Sequence, residues 1–108
     1  MTSVVLGWIA CHAGQRGPLW WASKHVRHHK HCDNELDPHS PQRSHKAYAF
    51  LLWTCSPSEA FVDYDFLPLK FHTPELVIID SIAYFIPLLE HYIMWTMFGK
   101  NAALISFW

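Results

Sequence analysis

The chain has 108 residues, of which 51% are hydrophobic and 16% aromatic; it supports one domain at most and carries more apolar surface than so small a water-soluble core readily hides. Eight Lys and Arg against nine Asp and Glu leave a net charge of −1, which gives no electrostatic basis for binding nucleic acid. The three cysteines, Cys11, Cys32 and Cys55, form no C-x-x-C pair, which argues against a disulfide scaffold and fits a reducing compartment.

Residues 3 to 13 are apolar and predict a helix. No Lys or Arg precedes the stretch from 4 to 11, as a secretory signal would require, and the stretch is shorter than the about 20 residues that span a bilayer. It reads as the tail of a longer helix, and the apolar run 102–108 reads as the start of another, so the chain is expected to be part of a longer protein. Gly14, Gly17 and Pro18 punctuate the chain after this first helix. Proline suits the first turn of a helix, where its missing N–H costs nothing, and residues 18 to 31 predict a helix. Asp37-Pro38 and Ser40-Pro41 close it, because a residue before proline is pushed out of the α region.

Residues 46 to 54 predict a short buried or interfacial helix, and 56 to 73 a polar connection. Thr73-Pro74-Glu75 is a helix start: a capping hydroxyl, proline in the first turn and an acid on the positive end of the dipole. One continuous helix is predicted from 74 to 98, with Gly99 at its C-terminal end; at 1.5 Å per residue it is long enough to cross a hydrocarbon core of about 30 Å. Pro87 is expected to bend or loosen it by removing a hydrogen bond. A charge at mid-membrane costs about 2.5–3.5 kcal/mol, so Asp80, Glu90 and His91 are expected to turn toward helices outside this chain. Seven of the eight Lys and Arg lie between Arg16 and Lys70, as a cytosolic loop would have them, although six acids share the segment.

Six of the nine histidines lie between His25 and His45. The spacing H-x-x-H-H places His25, His28 and His29 at i, i+3 and i+4, on one face of a helix, and predicts three imidazoles converging on one side. Neutral imidazole is a ligand for Fe, Zn, Cu and Ni. A surface histidine cluster or an adventitious metal site is the plainer alternative. Cys32, four residues after His28, has the spacing for a zinc pair, but nothing completes such a site.

The stretch Trp20 to Pro41, with H-x-x-H-H followed by Asp37-Pro38-His39-Ser40-Pro41, resembles the second histidine box of the membrane fatty-acid desaturases, in their acyl-CoA (stearoyl-type) branch. The resemblance extends upstream through Gly14 to Leu19, and more weakly downstream through Tyr48 to Trp53 and Phe71 to Leu76. It implies an all-α fold, a partial helical transmembrane protein. Residues 1–17 would end a membrane helix, 18–72 form a cytosolic histidine-box region, 74–98 span the membrane and 101–108 begin the next helix. It implies an oxygen-dependent di-iron oxidoreductase that places a double bond in a fatty acyl chain, with His25, His28 and His29 as iron ligands. Gln15 and Trp21 would line the acyl tunnel near its bend, with interfacial anchoring by the Trp20-Trp21 pair as the equal alternative, and Trp20 would anchor or pack. The expected partners are fatty acyl-CoA or acyl-lipid, a haem cytochrome or ferredoxin as electron donor, and membrane lipid. The location would be integral to a membrane with the box on the cytosolic face, the endoplasmic reticulum if the source is eukaryotic.

In the same family His39 shapes the turn after the box, and His31 faces elsewhere; His12, His45, His72 and His91 match no ligand position. This sequence departs from the family in having Val26 where Arg usually follows the first histidine, with Arg27 next. It contains neither the first box, H-x-x-x-x-H, nor the third, a second H-x-x-H-H. Three ligands do not hold two irons, so the chain is expected to be incomplete and inactive alone. The alternative is a small membrane-associated protein with a structural or metal-buffering histidine cluster; a soluble zinc-binding module ranks third.

Overall fold

The computed structural model describes residues 1–106, with Ser106 by its backbone alone, and among the described residues it is all-helical, without a strand. Helix α1 (Thr2–Ala10) tightens into a 3-10 turn at Cys11–Ala13 and stops at Gly14, whose φ of 67° is left-handed. Arg16 is left-handed as well, at φ 62°. Two such residues in three reverse the chain sharply. Arg16 is held there by its own side chain: Nε donates to the Thr54 carbonyl at 2.7 Å and Nη1 to the Ala60 carbonyl at 3.1 Å, with the guanidinium 5.0 Å over the Trp20 ring.

Helix α2 (Pro18–His31) opens on proline, as its sequence requires, but its N-cap, Gly17, has no side chain to satisfy the free N–H groups. Asp80 supplies the acceptor from 61 residues away, its Oδ1 taking the Leu19 N–H at 2.7 Å and the Trp20 N–H at 2.9 Å. Gly17 permits this approach. A Cβ there would collide with the Asp80 carboxylate and lie 2.7 Å from the Asp80 Cα.

Helix α3 (Lys46–Phe50) is capped by His45, whose Nδ1 accepts the Ala47 N–H at 3.2 Å. The connection up to residue 73 is more than a polar loop. It is a series of 3-10 turns at Leu52–Cys55, Pro57–Glu59, Tyr64–Phe66 and Leu69–Phe71, with Trp53, Glu59 and Leu67 buried. Thr73 then caps α4 (Pro74–Ser81), its Oγ1 accepting the Leu76 N–H at 3.4 Å. Helices α5 (Phe85–Phe98) and α6 (Lys100–Ser106) complete the described chain. Of the segment expected to begin another helix, residues 107 and 108 lie outside the described residues.

The continuous helix expected over 74–98 is corrected by the structure: it is two helices, α4 and α5, bent by 67° at residues 82–84. The cause lies downstream of the break. Proline lacks the N–H that would bond the carbonyl four residues back, and its ring clashes with that carbonyl. For Pro87 that residue is Ala83, inside the break, while Pro87 itself sits in the tolerant first turn of α5. No single helix among the described residues is long and apolar enough to cross a membrane, but the bent pair is so by length and composition.

Two of the intrahelical charges are corrected too. Asp80 and Glu90 find partners in this chain rather than outside it. Asp80 caps α2, and Glu90 accepts the Trp8 indole N–H at 2.9 Å and meets His12 Nε2 at 2.6 Å, tying α5 to α1.

Two small apolar clusters fasten these elements. Cys11, Ile79, Ala83 and Ile86 join α1 to the α4–α5 bend, and Leu19, Leu67 and Leu76 join α2 to α4. Beyond them the chain is drawn out. Its radius of gyration is 16.0 Å, against about 13 Å for a compact domain of this length. On α5, Leu88, Leu89, Tyr92, Trp95, Met97 and Phe98 are all exposed.

Candidate metal centre

One side of α2 is fixed by buried polar groups. Lys24, only 1% exposed, places Nζ 2.7 Å from Glu59 Oε2 and 2.9 Å from Asp63 Oδ2. Arg27 Nη1 reaches the same two oxygens at 3.1 and 3.0 Å, and its Nε donates to the Leu36 carbonyl at 2.7 Å. Two cations and two carboxylates thus neutralise one another, the condition under which charge is tolerated in an interior. Burial pushes the Asp63 carboxyl up, but hydrogen bonds from Lys24 and Arg27 outweigh it and hold the group below the usual carboxylate range. Trp20 adds a hydrogen bond from Nε1 to the Glu59 carbonyl at 2.6 Å and stacks on Trp53 at 5.1 Å. With that side held by residues 53 to 63, the register of the histidines is set.

His25 and His29 come together as the spacing predicts. Their Nε2 atoms are 3.0 Å apart and their rings meet edge to face at 4.5 Å. Burial, then the neighbouring His29 and His28, lowers the pKa of His25 and favours the neutral ring. Two neutral imidazole nitrogens this close share either a proton or a cation. Trp21 stacks on His25 at 4.4 Å and donates from Nε1 to Gln15 Oε1 at 3.1 Å, so the predicted Gln15–Trp21 pair is in direct contact. Beside it Ala10, Ala13 and Pro18 help line a cleft of about 330 Å³.

His28 converges only in part. Its ring lies 5.8 Å from that of His29, but Nδ1 faces Asp37 Oδ1 at 2.9 Å. Among the described residues, the groups of three whose ligand atoms fall within 4.8 Å of one another are His28–Asp37–His39 and Cys32–Asp33–Asp37; His25–His28–His29 is not one of them. Successive residues on a helix are turned by about 100°, so His28 and His29 leave the helix on either side of His25, and the carboxylate draws His28 to its own side.

His39, which the resemblance assigns to the turn, stacks on His28 at 4.3 Å and rests on Trp53 at 4.4 Å. Burial, then the nearby His28, lowers its pKa. His31 meets the edge of Phe66, and His72 that of Tyr64. The Cys32 thiol is exposed, 3.8 Å from Asp33 Oδ2.

Asp37, Lys24, Glu59, Asp63 and Asp80 are the side chains around the histidines that sequence reasoning did not assign to the site. Asp37 alone left a trace, because an aspartate before proline and two residues ahead of a turn N–H is an Asx-turn signature. Its Oδ1 does accept the His39 N–H, at 3.0 Å. The donor set suits a transition metal. His25 and His29 point bare or shared nitrogens at one place, and His28 is backed by a carboxylate that leaves its other nitrogen clear.

Similarity to known proteins points one way. Over 34 residues the chain is 53% identical to a protein of Anemone leveillei named acyl-CoA C20 Delta5-desaturase, covering 32% of this chain and 11% of that one. It is 35% identical over 80 residues to a protein named as a probable chloroplastic lipid desaturase of Arabidopsis thaliana, covering 67% of this chain and 22% of the relative. It is 36% identical over 69 residues to a protein of Nostoc named sn-2 palmitoyl-lipid 9-desaturase, covering 63% and 23%. The chain therefore spans less than a quarter of the length of these relatives. No protein-family model matches it, and no solved structure matches it. The relationship is to fatty-acid desaturases, by local matches.

Proposed function

We propose that this chain is a segment of a membrane fatty-acyl desaturase, the part that carries the second histidine box. The observation that carries the proposal is the juxtaposition of His25 and His29, nitrogen to nitrogen, on a helix within a sequence related to desaturases. In this reading His25, His28 and His29 hold iron, and bound iron supplies the activation of oxygen. In the overall reaction the two hydrogens removed from adjacent methylenes, together with O₂, two protons and two electrons, become two waters. The electrons come from a haem cytochrome or a ferredoxin.

The chain's own residues bind and orient. The Lys24–Arg27–Glu59–Asp63 cluster fixes the helix on which the imidazoles stand. Trp21, held by Gln15, forms an apolar wall next to His25 and lines the path of a fatty acyl chain, presented as acyl-CoA or acyl-lipid. The α4–α5 pair and the exposed apolar face of α5 lie in the bilayer, with the box on the cytosolic side.

The histidine-box helix supplies three imidazoles, too few for two irons, so the 108 residues on their own are expected to bind divalent metal weakly and to leave acyl-CoA unchanged. The decisive experiment has two arms. Extending the reading frame in both directions should reveal the H-x-x-x-x-H and further H-x-x-H-H boxes, and their absence would remove the enzyme from the proposal. Expression of the encompassing protein in desaturase-deficient yeast should restore unsaturated lipid, and His25→Ala or His29→Ala should abolish it. Unchanged lipid profiles with either variant would refute the ligand assignment.

A further inference from the structure

The Asp37 side chain has no exposed surface. Oδ1 accepts from His28 Nδ1 at 2.9 Å and from the His39 backbone N–H at 3.0 Å, and Oδ2 accepts the Asp33 backbone N–H at 2.9 Å. A carboxylate only accepts, so the His28 nitrogen that faces it carries the proton. In a neutral imidazole the other nitrogen, Nε2, is then bare. The ring plane is fixed as well, because His39 stacks on it at 4.3 Å with the planes 22° apart, and Trp53 backs His39. His25 and His29 are different. Each has the other's Nε2 as its hydrogen-bond partner, and among the described residues no carboxylate selects their tautomers.

We infer that Asp37 is a positioning residue that holds His28 as the Nδ1–H tautomer and so presents Nε2 to a divalent transition-metal ion. The inference rests on the metal role proposed above for the histidine box. An outer carboxylate of this kind sets the tautomer, fixes the ring and raises the basicity of the ligating nitrogen. Direct ligation by Asp37 is the weaker alternative, since both its oxygens are covered and each already accepts a hydrogen bond.

Two measurements on the full 108-residue chain in detergent micelles separate this from its competitors. With histidines labelled in ¹⁵N and no metal present, two-bond proton–nitrogen correlation reads each tautomer. His28 should show a protonated Nδ1 and a bare Nε2; Asp37→Ala should shift it toward the Nε2–H form that a free histidine side chain prefers, leaving His25 and His29 unchanged. A predominantly Nε2–H His28 in the unaltered chain overturns the inference. In the second measurement the probe is Co²⁺, titrated by calorimetry and visible absorption. Asp37→Ala should weaken binding about 10–100-fold, and Asp37→Asn, which keeps an acceptor oxygen without the charge, should fall between. If the alanine variant loses its helical circular dichroism, the asparagine variant carries the test in both measurements.

Unaltered Co²⁺ affinity in a variant whose His28 tautomer has changed overturns the ligand-presenting role. His39→Phe keeps the stack without a nitrogen and should bind Co²⁺ as before; a tenfold loss would overturn the assignment in favour of a direct His28–Asp37–His39 site. Failure of the unaltered chain to bind Co²⁺ would defeat the metal reading of the box and the ligand half of the inference with it. The tautomer measurement would still decide whether Asp37 orients His28.

Discussion

The region from α1 through α4 and the arm formed by α5 and α6 are built on opposite principles. In the first, most polar side chains of α2 have a partner in the segment from 33 to 80. Charges are buried in balanced pairs, and a carboxylate from one helix caps another. In the second, polar side-chain ties are few and apolar side chains face outward along most of α5. Here Glu90 holds the near end of α5 to α1 through Trp8 and His12, and Thr96 spends its hydroxyl on carbonyls of its own helix. The first region is therefore sensitive to single polar groups. The second should be sensitive to its surroundings, which fits the proposed place of α5 in a bilayer.

The largest effect that would break this contrast is expected at Lys24. Lys24→Met strands two carboxylates against one remaining cation, and removing one partner of a buried pair costs about 3–5 kcal/mol. Denaturation monitored by circular dichroism should show that loss, whereas Leu89→Ala on exposed α5 should change stability little in the same detergent. Equal losses would mean that the arm is packed as tightly as the histidine region. Gly17→Ala comes next. The added methyl displaces Asp80, and overpacking of this kind costs about 1–3 kcal/mol or more; the Trp20 fluorescence and near-ultraviolet signal should shift with it.

Acid should weaken the first region as well. The Asp63 pKa is lower folded than unfolded, because Lys24 and Arg27 outweigh its burial. Its contribution is then fully present above the unfolded value of about 3.9 and fades as pH falls from there toward the folded pKa. Asp37, lowered by His28 and two backbone N–H groups against its burial, acts in the same direction. A stability profile that stays flat from pH 5 to pH 2 would contradict the ion-pair account. The smallest free-energy change is expected for Pro87→Ala, which restores the N–H partner that the residue 83 carbonyl lacks. Spin labels at positions 75 and 97 should move apart as the bend opens, and an unchanged distance would place the cause of the break elsewhere.

What the sequence made legible was local. Pro18 at the start and Asp37-Pro38 beyond the end bracket α2, and the structure places that helix at Pro18–His31. Thr73 and Pro74 start α4, and Gly99 comes directly after α5, because capping and proline chemistry act within a turn. The bend at 82–84 was displaced from expectation by one turn, since proline acts on the carbonyl four residues behind it. The partners of α2 were not legible. Lys24 meets Asp63 across 39 residues, and an acid in a polar connection looks the same in sequence whether it faces water or a buried lysine. The same limit hid Asp80, which read as a membrane liability and is a helix cap. For the histidines, spacing brought His25 to His29 but did not disclose that Asp37 turns His28 aside.

The Asp80 cap also orders events during synthesis. Leu19 leaves the ribosome 61 residues ahead of its acceptor, a delay of roughly 3–12 s at about 5–20 residues per second. Through that interval the first turn of the histidine helix has only water to satisfy its N–H groups. A ribosome stalled before residue 80 would hold an imidazole helix with a frayed start, exposed to whatever ions and chaperones are at hand. The start of the box helix is thus completed by a residue made long after the box itself.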